Sequence, residues 1–153
     1  MEAETYPDPR VETLIRGHFV PVRFDVKKRP EAFERFGARW TPTVLLLDSS
    51  GAERHRIEGF LPAPDFAAQL LLGLGHAAFS AGKFAEAQRR FGEVLEKYPE
   101  TEAAAEAQYW KGVSRYKETG DGSALGETAQ AFQTRYTDTS WAKKASVWAA
   151  PRA

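Results

Sequence analysis

The sequence predicts an α+β unit of about three strands at the N-terminus, followed by an all-α helical array. Three observations carry this. The first half holds two short β-rich runs and a compact hairpin signal between helix starts. The second half repeats itself with a period of 38 residues: Tyr98, Thr101, Ala104, Ala107 and Trp110 recur as Tyr136, Thr139, Ala142, Ala145 and Trp148. And the 153 residues divide evenly in charge, with 21 basic and 21 acidic side chains, as in an ordinary globular chain.

Asp8-Pro9 opens the first helix, with Asp8 as N-cap and Pro9 at the first helical position, where a missing N–H costs nothing. Val11, Leu14 and Ile15 form its apolar stripe, and Gly17 closes it. Phe19-Val20-Pro21-Val22-Arg23-Phe24-Asp25 is β-branched and aromatic, and reads as the first strand. Pro21 leaves one edge of that strand without a donor. A short helix at Pro30–Phe36 ends at Gly37. Thr43-Val44-Leu45-Leu46-Leu47-Asp48 is a continuous apolar strand, expected to be buried on both faces. Ser49-Ser50-Gly51 turns the chain, and residues 53–58 return as a more polar strand. Pro62 and Pro64 introduce a helix beginning near Asp65.

In the second half, spacings of three between Ala104, Ala107 and Trp110 lay small residues along one helix face, where another helix can approach. Thr101 and Thr139 are suited to N-cap their helices. No linker rich in Ser or Gly separates the halves. The last helix of residues 1–65 runs directly into the first helix of residues 66–150, weakened by Gly73 and Gly75.

The order of helix, strand, helix, Trp40-Thr41-Pro42-Thr43, hairpin and Gly59-Phe60 resembles the C-terminal two-thirds of the thioredoxin superfamily. Leu71, Leu74, Gly75, Gly82, Phe84, Ala87, Phe91, Val94 and Pro99 fall at the spacing of a tetratricopeptide repeat, which the second half resembles; Ala78 departs from it. The first resemblance implies a cis Thr41–Pro42 bond and a peptide-binding role for Trp40, Thr41 and Pro42. It also implies that the family's central strand and Cys-x-x-Cys pair are absent from the chain. The edges this leaves must be closed by direct antiparallel pairing of 19–25 with 43–48, by a second chain, or by a strand encoded upstream of Met1. The second resemblance implies a concave groove of Gln69, Leu72, His76, Phe79, Glu106, Tyr109, Val113 and Tyr116, suited to a peptide or helix.

Chemistry is otherwise sparse. Without cysteine there is no disulfide, thiolate or cysteine metal site. His18, His55 and His76 are far apart in sequence and lack a ligand-type partner at i+4, so they read as surface or structural residues. Residues 1–66 carry 10 basic and 11 acidic side chains and residues 67–153 carry 11 and 10, so no basic face for nucleic acid is expected. The start lacks signal-peptide character and the apolar stretch 66–79 is too short and interrupted to span a bilayer, so a cytoplasmic protein without membrane insertion is expected. The reading is a non-catalytic protein–protein interaction module, with no catalytic or metal residues and no cofactor, that takes a protein or peptide partner. The alternatives are a fragment of a thiol-disulfide oxidoreductase and a structural homodimer joined through exposed strand edges.

Overall fold

The computed structural model describes residues 1–150. Asp8 caps α1 (Pro9–His18) by accepting from the Arg10 amide, as its position before Pro9 predicts. After a segment outside helix and strand come α2 (Pro30–Arg35) and the antiparallel hairpin of β1 (Thr43–Leu47) and β2 (Glu53–Glu58). Helices α3 (Ala63–Ser80), α4 (Phe84–Lys97), α5 (Ala103–Thr119), α6 (Ser123–Ala131) and α7 (Ser140–Ala145) follow, ending in a 3-10 turn at Ser146–Trp148.

The sheet has two strands, not about three. Residues 20–24 belong to no helix or strand and make no backbone–backbone hydrogen bond among the described residues. Of the three ways of closing the edge, direct pairing of 19–25 with β1 does not form among the described residues. A strand is a property of two segments, and here the β-rich sequence has no partner; Val20 is left 91% exposed and Val22 73%. The same lack of a neighbour leaves β1 buried on one face only. Leu46 lies in the core while Leu47 is 42% exposed.

Helix α3 is the spine of the molecule. Its first turns join Val11 of α1 and Leu46 and Ile57 of the hairpin in one core, through Phe66, Ala67 and Leu70. Its later turns form a second core with α4 and α5, through Leu71, Leu72, Phe91, Val94 and Ala104. The helix runs unbroken through Gly73 and Gly75 because both are points of close approach. A Cβ on Gly73 would fall inside Leu46 Cδ2, and one on Gly75 would lie 2.5 Å from Phe91 Cε1. These glycines weaken the helix locally but admit the hairpin on one side and α4 on the other.

The 38-residue repeat brings Thr101 and Thr139 to equivalent places, each hydroxyl donating to the carbonyl three residues back, of Tyr98 and Tyr136. Only Thr139 also accepts from its helix, at the Ala142 amide 3.2 Å away. In the first copy α5 begins later, with Glu102 at the cap position and no side-chain cap bond, so Thr101 is not the N-cap the sequence suggested. A third core of Ala105, Phe132 and Ala145 seats α7 against α5 and α6.

Candidate functional site

Strand β2 lies against α3, so the hairpin forms one wall of the space beside the α3–α5 face. Alternation along β2 directs His55 and Ile57 to the helix side. Ile57 enters the core, and His55 lies over Gly73 on α3, where an added Cβ would come 3.1 Å from the His55 Cβ. His55 Nε2–H donates to Gln69 Oε1 at 2.6 Å. Its ring stacks on that of His76, with centroids 5.7 Å apart and planes 29° from parallel. His76 Nε2–H in turn donates to the Glu106 carboxylate on α5 at 2.9 Å. Edge-on rings of Phe91 and Trp110 hold His76 in place, at 5.3 and 5.5 Å. Side chains from β2, α3 and α5 thus form one polar relay, Gln69–His55–His76–Glu106.

Burial pushes the His55 imidazole below its ordinary value, with a smaller push from His76; the Gln69 bond and the Glu106 and Glu53 carboxylates pull the other way. Burial dominates, and His55 is held neutral. An open cleft of about 460 Å³ lies over this relay, lined by Glu53, Arg54, His55, Arg56, His76 and Glu106. Its charges are internally matched. Arg54 pairs with Asp48 at 2.8 Å. Arg56 pairs with Glu53 at 2.5 Å and donates to the Phe36 and Gly37 carbonyls at 2.6 and 3.2 Å, which ties the end of α2 to the hairpin. Bonds from Ser50 and Arg54 hold the Asp48 carboxyl well below the usual carboxylate range. Among the described residues no three His, Asp or Glu side chains are disposed to hold a metal ion.

The expected groove residues divide by what they touch. Leu72 is fully buried in the core between α3, α4 and α5, which removes it from any ligand surface. Gln69 and His76 are engaged by the hairpin, and Glu106 by His76. Tyr109 stacks on Trp148 at 5.0 Å and meets Trp141 at 5.3 Å, so it anchors the C-terminal cap. Phe79 packs edge-on against Phe84 and Trp110, both at 5.2 Å. Val113 is half-buried, and Tyr116 is 38% exposed. His55, Arg54 and Arg56 were not among the expected site residues, although the alternation of β2 already aligned His55 with the core residue Ile57.

The Thr41–Pro42 bond is cis, as the resemblance implied. Thr43 Oγ1 donates to the Trp40 carbonyl at 2.6 Å, and the Gly59 amide donates to the Pro42 carbonyl at 2.8 Å. The Trp40 ring is 69% exposed. No hydrogen bond or ring contact among the described residues links Trp40, Thr41 or Pro42 to the residues of the α3–α5 face.

Residues 1–73 match the family model of a thioredoxin-like domain. Over those residues the chain is similar to that family. The match extends to the middle of α3, at the glycine on which the hairpin rests, so the thioredoxin-like unit and the helical array share that helix. Neither the curated proteins nor the solved structures give a match. No helix among the described residues is long and apolar enough to cross a membrane.

Proposed function

We propose that the chain is a non-catalytic protein–protein interaction module, in which a cysteine-free thioredoxin-like unit is fused to a tetratricopeptide-like array. The ligand is a peptide or helix lying along α5 beside the cleft. One observation carries the reading: α5 keeps Tyr116 38% exposed and Val113 half-buried, while Glu106 on the same helix lines the cleft. Aromatic and aliphatic surface beside single polar groups is the chemistry of peptide capture. Exposed Trp40, next to the cis Pro42, offers a second contact. Thiol–disulfide exchange lies outside what these residues can perform, because the chain has no cysteine.

The test is selection of binding peptides from a displayed library, with affinities then measured by calorimetry for the native chain and for Tyr116→Ala. Tyr116 lies at the surface, so its truncation leaves folding intact while removing a ligand contact. Affinity should fall about tenfold, as expected for an aromatic contact residue. Selected peptides that bind both chains equally would refute the groove.

A further inference from the structure

Two unsatisfied features of the thioredoxin-like unit are complementary to each other. The first is the segment 20–24, which belongs to no helix or strand and has no backbone ladder among the described residues. Even-numbered residues of an extended segment turn their backbone groups to one edge and odd-numbered residues to the other. Drawn out as a strand, the segment would present the N–H groups of Val20, Val22 and Phe24 along one edge, while Pro21 interrupts the opposite edge. Phe24 stacks on Phe36 with centroids 6.3 Å apart, and Arg23 pairs with Glu2, so the segment is held at its base while Val20 and Val22 project.

The second is the outer edge of β1. The Gly59-to-Pro42 hydrogen bond and the pairing of Val44 with Ile57 fix the phase of the ladder. Residues 42, 44 and 46 bond toward β2, so Thr43 and Leu45 direct N–H and C=O groups away from it. No strand covers that edge among the described residues. Unpaired apolar edges of this kind recruit another strand.

We propose that this chain forms a two-fold dimer in which residues 20–24 of each copy add as a strand to the free β1 edge of the other. Reciprocal exchange between two copies closes the pairing at two subunits and leaves neither feature unsatisfied. The area is sufficient. With roughly 60–120 Å² for an aliphatic side chain and about 150–250 Å² for an aromatic one, the exposed parts of Val20, Val22, Phe24, Trp40 and Leu47 supply on the order of 1,000 Å² over two copies. The paired backbones bring the total into the range of about 1,200–2,000 Å² typical of stable interfaces. This inference is independent of the α5 groove, whose peptide binding can fail without affecting it.

The experiment uses the full chain. Light scattering coupled to size exclusion at micromolar concentration should give twice 17.1 kDa. Val22→Pro removes an N–H from the donor edge at an exposed position, and should weaken association at least about tenfold with unchanged circular dichroism and melting temperature. Because the chain has no cysteine, differently tagged single variants can be mixed and oxidised. V22C should form a disulfide with T43C or L45C, in preference to linking with itself. A monomer at all concentrations overturns the proposal, as does a dimer indifferent to Val22→Pro. So does self-linking of V22C without any link to T43C or L45C, which would mean that the donor segments meet each other. A monomer that retains peptide binding would leave a foreign strand as the occupant of the edge.

Discussion

Acidification loads a proton onto His55 at the joint between hairpin and helices, and the direction of the effect follows from its surroundings. Burial lowers the folded-state value below the ordinary 6.5, so between these two values the unfolded chain binds more protons than the folded one. The stability contributed by neutral His55 is fully present above pH 6.5 and is lost as pH falls through that value and then through the folded one. Replacing the ring with Ala at neutral pH removes one hydrogen bond, worth about 1 kcal/mol net. It also removes the stack on His76, worth about 0.5–1.5 kcal/mol, and leaves half-buried Gln69 without its partner. The total is about 2–3 kcal/mol, or a fall in Tm of roughly 4–12 °C for a chain of this size. Urea denaturation of the native chain, His55→Ala and His55→Gln from pH 7.5 to 5 checks both parts. His55→Gln removes the titrating ring of His55 and keeps His76 and Glu106 in place, so its stability should fall less than the native chain's over that range. Equal slopes for the two chains, or a native chain that gains stability toward pH 5, would refute the assignment of His55 as a buried neutral ring.

Two further outcomes test the joint and its surroundings. Gly75→Ala gains about 1 kcal/mol in helix propensity, but presses a methyl group against the fully buried Phe91 ring, an overpacking that costs typically 1–3 kcal/mol; chemical denaturation should find a net loss of stability. Arg56→Ala removes the donors to the Phe36 and Gly37 carbonyls, so hydrogen exchange at the amides of residues 36–38 should quicken while the amides of α3 keep their protection.

Local chemistry was legible in the sequence, and partnership was not. Asp8-Pro9, Ser49-Ser50-Gly51 and Gly37 each encode their own geometry through a cap, a tight turn or a positive φ, and α1, the hairpin and the end of α2 appear where those residues stand. The segment 19–25 has the composition of a strand, but a ladder needs a second backbone. Its fate depends on a neighbour that the described residues do not supply. His55 and His76 lie 21 residues apart and were judged separately; β2 and α3 bring them together only because Gly73 lets the hairpin come close. Leu72 was assigned to the groove by resemblance, yet its position on α3 faces the core shared with α4 and α5. Tyr109 met the same limit, since Trp141 and Trp148, which occupy it, come from the end of the chain.

The division at residues 65 and 66 separates two sequence patterns without separating two bodies. Phe66, Ala67 and Leu70 lie beyond that boundary, yet they supply the core on which Val11, Leu46 and Ile57 close. A unit ending at residue 65 would lack the side of its core that α3 provides. Leu14 and Tyr98 pack against the cores of both halves, and the Gln69–His55–His76–Glu106 relay crosses from β2 through α3 to α5. Motion of the hairpin relative to α5 would break the His55–His76 stack and uncover Leu46.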